Sequence, residues 1–210
     1  MKLYGFPPSP NTWQVRALAA YLGVPLEFEF VDLTKGIQRT PAFLALNPTG
    51  RTPLLVDGDF NLWETLAIMQ YIASKKPNAL WPNDARTRAD ITRWQSWTLA
   101  HWNRDACVPL LFERFVKKIL NLGEPDHTAI AKGVDSFAKE AAMLDAHLAQ
   151  QKCIVGDALT VADFAVAAPL FYAEKAALPL QPYPHILAWF QRVSALPCWS
   201  ETAAQMPAAA

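Results

Sequence analysis

The spacing of hydrophobic residues changes along the chain, and the first third combines strand-like runs with helix-like stripes. Short apolar or alternating runs that end in turn residues predict strands. Apolar residues at helical spacing predict the helices between them. The predicted strands cover residues 2–6, 26–31, 53–56 and 60–63, and the predicted helices cover residues 10–22, 40–46 and 64–73. This order of elements is typical of a small α/β domain.

The remainder of the chain shows helix-like spacing only. Helices are predicted at residues 85–101, 108–122, 128–150, 160–177 and 186–195. Thr160, with Asp163 after it, matches a capping box, which marks a helix start. A stretch rich in Pro and Asn separates the two parts, as a linker would. We therefore predict an α/β domain at residues 1–76, a linker at 77–85 and an all-helical domain at 86–210.

Composition and charge limit the possible partners. The 19 basic and 19 acidic residues balance, whereas nucleic-acid-binding proteins usually carry a basic excess. No apolar run approaches the roughly 18 residues that span a bilayer, and the first residues do not resemble a secretory signal. The three cysteines lie far apart, which is typical of a reducing, cytoplasmic compartment. We expect no nucleic-acid or membrane partner and, since no Cys/His spacing resembles a zinc site, no metal.

The start of the first predicted helix is a candidate site for an anion. Ser9 is a good N-cap, and Pro10 suits the first helical position. Free N–H groups and the helix dipole favour negative charge there, and such a setting lowers a thiol pKa from about 8.5 to roughly 3.5–7.5. Ser9 could serve as a cap only, or its hydroxyl could donate to a bound sulfur. Asn11 and Thr12 could supply the same donor.

Two further residue pairs have features of a ligand site. A cis bond between Thr52 and Pro53 would turn the Thr52 backbone outward to pair with a peptide ligand, although the base rate favours trans. Glu64 and Thr65 follow a predicted strand and open a predicted helix. They could form an ordinary acidic helix start, or they could bind the carboxylate and ammonium groups of a ligand.

Three polar residues near these pairs are candidates for a second carboxylate contact. They are Gln38, Arg39 and Arg51. The alternative for each of them is a solvated surface position.

The motifs together resemble the glutathione transferase family, of the serine type and similar to the bacterial, phi or theta classes. The resemblance covers nearly the whole chain and is carried by the stretches Tyr4-Gly5-Phe6-Pro7-Pro8-Ser9, Asn47-Pro48-Thr49-Gly50-Arg51-Thr52-Pro53, Glu64-Thr65-Leu66-Ala67-Ile68 and Gly156-Asp157-Ala158-Leu159-Thr160-Val161-Ala162-Asp163. It implies a thioredoxin-like N-terminal domain followed by an all-α helical domain. It also implies glutathione as co-substrate, with no permanently bound cofactor.

The resemblance assigns roles to individual residues. Ser9 matches the serine that activates the glutathione thiol, and Pro53 matches a cis-proline that follows the backbone-pairing Thr52. Glu64 and Thr65 match the pair that binds the γ-glutamyl end, and Gln38 with Arg39 falls where the glycine end is contacted.

The chain also departs from the family pattern. Thr65 replaces the commoner Ser and keeps the hydroxyl, and Thr52 replaces the usual Val. Trp13 stands where Arg is frequent, so the field at the helix start is weaker and Asn11 or Thr12 stays open as the thiol contact. No Cys lies near Ser9, which disfavours the disulfide-forming and reductase classes.

A second, apolar substrate would bind between the two domains. Phe6 and Pro7 would form one wall of its site. Residues of the second domain at helical spacing would form the other: Trp97, His101, Arg104, Cys107 and Leu111. The alternative for this stripe is packing inside the helical domain.

The expected activity is attack of the glutathione thiolate on an apolar electrophile, as in detoxification. Two alternatives share the same pocket: a non-catalytic glutathione-binding, stress or assembly protein, and a glutathione-dependent isomerase, dehalogenase or peroxidase. The family resemblance further implies a homodimer.

Overall fold

The computed structural model describes residues 1–204, and the chain divides into two compact units. Met1–Trp81 and the segment from Ala195 onward form the first, which we call the sheet unit. Pro82–Ser194 forms the second, which we call the helical unit. The last residues of the predicted helical domain, 205–210, lie outside the described part of the chain.

The sheet unit contains a mixed four-stranded sheet. Its strands are β1 (Lys2–Gly5), β2 (Glu27–Phe30), β3 (Leu54–Asp57) and β4 (Phe60–Trp63), in the spatial order β2-β1-β3-β4. β1 is parallel to β2 and antiparallel to β3, and β3 and β4 form a hairpin. The predicted α/β class of the first domain is confirmed.

Three helices accompany the sheet: α1 (Pro10–Leu22), α2 (Pro41–Leu46) and α3 (Thr65–Ser74). α1 begins at Pro10, which suits a first helical position, and ends at Gly23, whose φ of 60° favours glycine. α2 begins where the Thr40 hydroxyl accepts from the Phe43 N–H. A short 3₁₀ turn at Ile37–Arg39 precedes α2. All three helices were predicted to within two residues at each end.

The core of the sheet unit consists of aliphatic side chains from the central strands and from two helices. α1 packs against α3. The fully buried members include Leu3, Leu18, Leu54, Leu55, Ile68, Met69 and Ile72. The edge strand β2 behaves differently, because Phe30 is 49% exposed.

The helical unit contains α4 (Ala85–Trp97), α5 (Val108–Leu111), α6 (Lys117–Leu120), α7 (His127–Leu148), α8 (Val161–Ala167) and α9 (Pro184–Ser194). Asp84 and Asp126 cap α4 and α7 with their carboxylates. The predicted capping box at α8 is present: the Thr160 hydroxyl accepts from the Ala162 N–H, and Asp163 accepts from the Thr160 N–H. The predicted all-helical character of this part is confirmed.

Three predicted helices differ from the structure. The turns at Thr98–Cys107 and Phe112–Val116 are π-helical, so α4, α5 and α6 form one helical run of changing pitch. The predicted helix at 160–177 is α-helical only as far as Ala167 and continues as a 3₁₀ segment at Ala168–Tyr172. Pro169 lacks the N–H that an α-helix would use there.

A last helix, α10 (Pro197–Ala204), was not predicted. It belongs to the sheet unit and packs against α1. Cys198, Trp199 and Thr202 are its buried residues.

The described residues, 1–204, lack two kinds of feature. No helix among them combines the length and the apolar character needed to cross a membrane. No cluster of three or more His, Cys, Asp or Glu side chains among them is suited to a metal ion.

Candidate functional site

Strand register brings the predicted site segments to one end of the sheet. Tyr4 pairs with Leu54, and Leu54 pairs with Trp63. The turn after β1, the residue before β3 and the residues after β4 therefore lie side by side. β2 is parallel to β1 and ends beside it, so the chain after β2 leaves from the same end. Ser9, Pro53, Glu64 and the segment that contains Gln38 come together for this reason.

Ser9 occupies the N-cap position of α1. Its N–H donates to the Phe6 carbonyl at 3.0 Å, which closes the turn after β1, and its carbonyl accepts from the Trp13 N–H at 2.9 Å. Its hydroxyl forms no capping hydrogen bond within the described chain, although its backbone is extended as in a cap. The capping role is therefore wrong for the side chain, and the half-buried hydroxyl is available for a ligand.

The two alternatives to Ser9 differ in accessibility. Thr12 is 0% exposed and packs so closely on Gly5 that a Cβ there would lie 2.4 Å from Thr12 Cγ2. Its hydroxyl is buried and has no hydrogen-bond partner in the described structure. Asn11 is exposed, and its side-chain oxygen accepts from Gln14 Nε2 at 3.3 Å. All three residues stay predictions for the thiol contact, and Thr12 is the least accessible of them.

The loop before β3 is fixed by a buried asparagine. Asn47 Nδ2 donates to the Arg51 carbonyl at 2.7 Å, and Asn47 Oδ1 accepts from the Thr49 N–H at 3.0 Å. Gly50 has a φ of 61°, and a Cβ on it would lie 3.2 Å from the Gln38 carbonyl oxygen. Glycine is required there for both reasons.

The Thr52–Pro53 peptide bond is cis. The resemblance implied this isomer, which the sequence alone could not establish. Thr52 is half-buried and Pro53 is buried at the start of β3.

Glu64 and Thr65 form the start of α3. Glu64 has φ 74° and ψ 114°, a conformation that costs about 1–3 kcal/mol in a residue other than glycine. Its exposed carboxylate forms no capping hydrogen bond in the described structure. The Thr65 side chain is nearly buried at the first turn, where the N–H groups have no helical partner. This helix start presents donors to an anion beside one free carboxylate.

The three polar candidates for a second carboxylate lie on neighbouring loops. Arg39 and Arg51 are exposed, and Gln38 is half-buried. Gln38 Nε2 donates to the Leu33 carbonyl at 3.4 Å, while its Oε1 is buried and has no partner in the described chain. The contact of Gly50 with the Gln38 backbone places the Gln38 and Arg51 segments next to each other.

An aromatic pair lies beside this end of the sheet. The Phe6 and Phe30 rings stack with centroids 6.3 Å apart and an interplanar angle of 26°. Phe6 was predicted as a wall of the second-substrate site, whereas Phe30 was not among the predicted site residues. Pro7, the other predicted wall residue, is buried.

The predicted stripe on the helical unit does not form one face. His101 and Arg104 are exposed, Trp97 and Leu111 are half-buried, and Cys107 is 2% exposed. The π-helical turns are the cause, because their repeat is longer than the α-helical spacing that defined the stripe.

Two polar groups of that stripe already have partners. Trp97 Nε1 donates to Glu140 at 2.8 Å, and Arg104 pairs with Asp105 at 2.7 Å. The exposed large apolar residues of the same helical run were not predicted as site residues; they are Leu99, Val108, Phe112, Ile119 and Leu120.

The three cysteine thiols are not available as nucleophiles. All three are free and buried. Burial raises the pKa of Cys153 and of Cys198 to about 11 and raises the pKa of Cys107 well above its usual range. A thiolate at this site must therefore come from the ligand.

Comparison with known proteins identifies the fold and its ligand. Residues 1–74 match the model of the glutathione S-transferase N-terminal domain, and residues 104–197 match the model of its C-terminal domain. Glutathione S-transferase 3 of Zea mays is 38% identical over 215 residues, which cover 99% of this chain and 95% of the relative. The chain belongs to the glutathione S-transferase family.

Solved structures agree with this assignment. Glutathione transferase F7 from Populus trichocarpa superposes with a TM-score of 0.90 at 30% identity, covering 99% of each chain. Glutathione S-transferase I from mais, solved with an atrazine glutathione conjugate, gives a TM-score of 0.90 at 27% identity and covers 99% of each chain. The predicted thioredoxin-like domain followed by a helical domain is confirmed, as is the transferase activity with glutathione as co-substrate.

Proposed function

We propose that the Ser9 hydroxyl donates a hydrogen bond to the sulfur of glutathione and keeps it ionised. The hydroxyl has no capping partner and lies at the N-terminus of a 13-residue helix, where the dipole favours an anion. A charge-assisted hydrogen bond adds to this effect. The thiol proton leaves to solvent, and the thiolate then attacks the second substrate.

The rest of the tripeptide would bind across the same end of the sheet. Thr52 pairs through its backbone with the cysteinyl residue. The Glu64 carboxylate binds the γ-glutamyl ammonium, and the Thr65 hydroxyl and N–H bind the carboxylate beside it. Gln38, Arg39 and Arg51 form a polar patch for the glycine carboxylate, in which Arg51 supplies a positive charge.

The second substrate we propose is an apolar electrophile, and the bond formed is a thioether. The stacked pair Phe6 and Phe30 supplies apolar surface in the sheet unit next to the turn that leads to Ser9. Of the residues predicted from the sequence for this substrate, Pro7, Trp97, His101, Arg104, Cys107 and Leu111 stay predictions, and Cys107 is 2% exposed.

The observation that carries the proposal is the uncapped Ser9 hydroxyl, and a pair of variants tests it. Ser9→Ala removes the donor, so we expect the kcat/KM for conjugation of a chloronitroaromatic to fall on the order of 100-fold at neutral pH. Asn11→Ala is the matched variant one helical position further on, and it should lose less than about 3-fold. A larger loss in Asn11→Ala than in Ser9→Ala would transfer the role to Asn11.

The oligomeric state and the cellular location of the protein are proposals. We propose a homodimer, supported by the family resemblance. We also propose a cytoplasmic location, which the three unpaired cysteines support. Detoxification is the physiological role proposed for the conjugation.

A further inference from the structure

The C-terminal helix of the chain packs on the helix that begins at Ser9. The Trp199 ring of α10 meets the Trp13 ring of α1 edgewise, with centroids 3.8 Å apart and an interplanar angle of 70°. Trp13 Nε1 donates to the Trp199 carbonyl oxygen at 3.4 Å. Trp13 is wholly buried, and Trp199 is 7% exposed. Two large buried aromatic side chains thus meet in this contact.

Trp13 is linked directly to the proposed thiol contact. It lies one helical turn after Ser9, and its N–H donates to the Ser9 carbonyl at 2.9 Å in the first hydrogen bond of α1. The position of the Ser9 backbone therefore depends on where the Trp13 residue sits. The Trp13 ring packs against Trp199, so the contact between the two helices is linked to the first turn of α1 through Trp13.

α10 is itself well anchored, so it can act as a support. The Trp199 N–H donates to the Leu196 carbonyl at 2.9 Å at the beginning of the helix. Cys198 and Thr202 are buried on either side of Trp199. α10 groups with the sheet unit, although the family model of the C-terminal domain extends to residue 197.

We propose that Trp199 is a positioning residue for thiolate formation: through Trp13 it holds the first turn of α1 where the Ser9 hydroxyl meets the sulfur of glutathione. This inference rests on the proposed function of Ser9. Catalytic groups lose activity steeply when misplaced, and about 1 Å can cost roughly 100-fold. The γ-glutamyl contacts at Glu64 and Thr65 begin another helix, α3, so we expect them to depend less on this support than the Ser9 contact does.

The test separates thiol ionisation from tripeptide binding in Trp199→Ala. The pH profile of kcat/KM for the electrophile, measured at saturating glutathione, reports the pKa of the thiol in the protein–glutathione complex, and the Kd of S-methylglutathione reports binding without an ionisable thiol. We expect the apparent pKa to rise by about one unit, which lowers kcat/KM roughly 10-fold at pH below both values. We expect the Kd of S-methylglutathione to change less than about 2-fold, an estimate that assumes intact γ-glutamyl contacts.

Three variants control for a general loss of structure. Trp199→Phe keeps an aromatic ring against Trp13 and should restore most of the wild-type pH profile. Leu22→Ala removes a buried side chain at the far end of α1 and should lower the melting temperature without moving the pKa. Trp199→Leu gives the same readout with a smaller cavity if Trp199→Ala does not fold.

Each outcome decides between a positioning role and a merely structural one. An unchanged thiol pKa in the Trp199 variants would overturn the inference. So would an equal shift in Leu22→Ala, or a joint loss of ionisation and of S-methylglutathione binding. If the wild-type protein binds glutathione with an ordinary thiol pKa, the proposed function of Ser9 fails. This failure is distinguishable from a failure of the Trp199 inference, because it is seen in the wild-type protein alone.

Discussion

The backbone of Glu64 carries a conformational cost at the residue where the proposed γ-glutamyl contact begins. Its positive φ is one of three among the described residues other than glycine, together with Asn121 and Ala177. Asn121 ends a helix, where a left-handed residue is common. Glu64 starts one, where an extended N-cap is usual. The fold keeps this strain at a residue whose carboxylate forms no capping bond.

We predict that Glu64→Gly separates stability from ligand affinity. Glycine adopts the observed φ without strain, which stabilises the folded state, but it also raises the entropy of the unfolded chain, which opposes this gain. The net free energy of unfolding should therefore rise by up to about 2 kcal/mol and should not fall. The affinity for glutathione should fall at least roughly 10-fold, because the ammonium loses its carboxylate. Urea unfolding and calorimetry measure the two effects.

Glu64→Gln is the matched variant for this prediction. It keeps the strained backbone and removes the charge, so it should lose affinity without gaining stability. If Glu64→Gly were less stable than Glu64→Gln, the strain at this residue would play no part.

The sequence predicted which residue types form the site better than it predicted which of those residues are accessible to a ligand. Ser9, Thr52, Glu64 and Thr65 were selected from motif and helix-start chemistry, and the structure brings them to one end of the sheet. Whether Ser9, Asn11 or Thr12 could face a ligand was beyond the sequence, because helix rotation depends on how tightly Thr12 packs on Gly5.

At the scale of elements, several hydrogen bonds to one buried carboxylate, Asp163, stabilise the start of α8. Asp163 accepts from the Ile154 N–H at 2.9 Å, the Thr160 N–H at 2.8 Å and Trp189 Nε1 at 2.9 Å. Burial raises the pKa of the Asp163 carboxyl, while these donors oppose that shift. The carboxylate joins the loop before α8, the helix itself and α9.

We predict that Asp163→Ala destabilises the protein by at least about 3 kcal/mol, because it leaves three buried N–H donors unsatisfied at roughly 1–3 kcal/mol each, and the Thr160 hydroxyl also loses the carboxylate to which it donates at 3.2 Å. Asp163→Asn keeps one acceptor oxygen and should cost less. Denaturant unfolding followed by circular dichroism measures both. Asp157→Ala, an exposed aspartate on the same loop, is the control and should stay within about 0.5 kcal/mol of wild type. A similar loss in all three variants would contradict the special role of Asp163.

Capping chemistry predicted helix starts better than periodicity predicted helix interiors. The Thr160–Asp163 box and the Pro10 start were found because local residues determine them. The π-helical turns at Thr98–Cys107 were not predicted, since they depend on packing within the run that follows α4. α10 was missed because its short sequence lacks a cap signal and its burial comes from contact with α1.

At the scale of the whole molecule, the chain forms two compact units. The sheet unit holds all the residues proposed to bind the tripeptide. It also includes the chain from Ala195 onward, which the sequence assigned to the helical domain. The predicted boundaries at 76 and 86 stay predictions, and the structural division falls between Trp81 and Pro82.

The fold class was predictable because strand order and helix order follow from local patterns, while strand pairing decides where loops meet. Register alone places the segments after β1 and β4 beside the start of β3. Without knowledge of strand pairing, the sequence cannot show that these segments lie next to each other. In this chain the family resemblance indicated that they do.

The central claim is that the start of α1 lowers the pKa of a bound glutathione thiol, and thiolate absorbance in the ultraviolet measures this most directly. Titrating the complex between pH 5 and pH 9 should give an apparent pKa below about 7.5, against about 8.5 for a free thiol. Ser9→Ala should return the value toward that of the free thiol. A wild-type complex whose thiol ionises no more readily than glutathione in buffer would contradict the account.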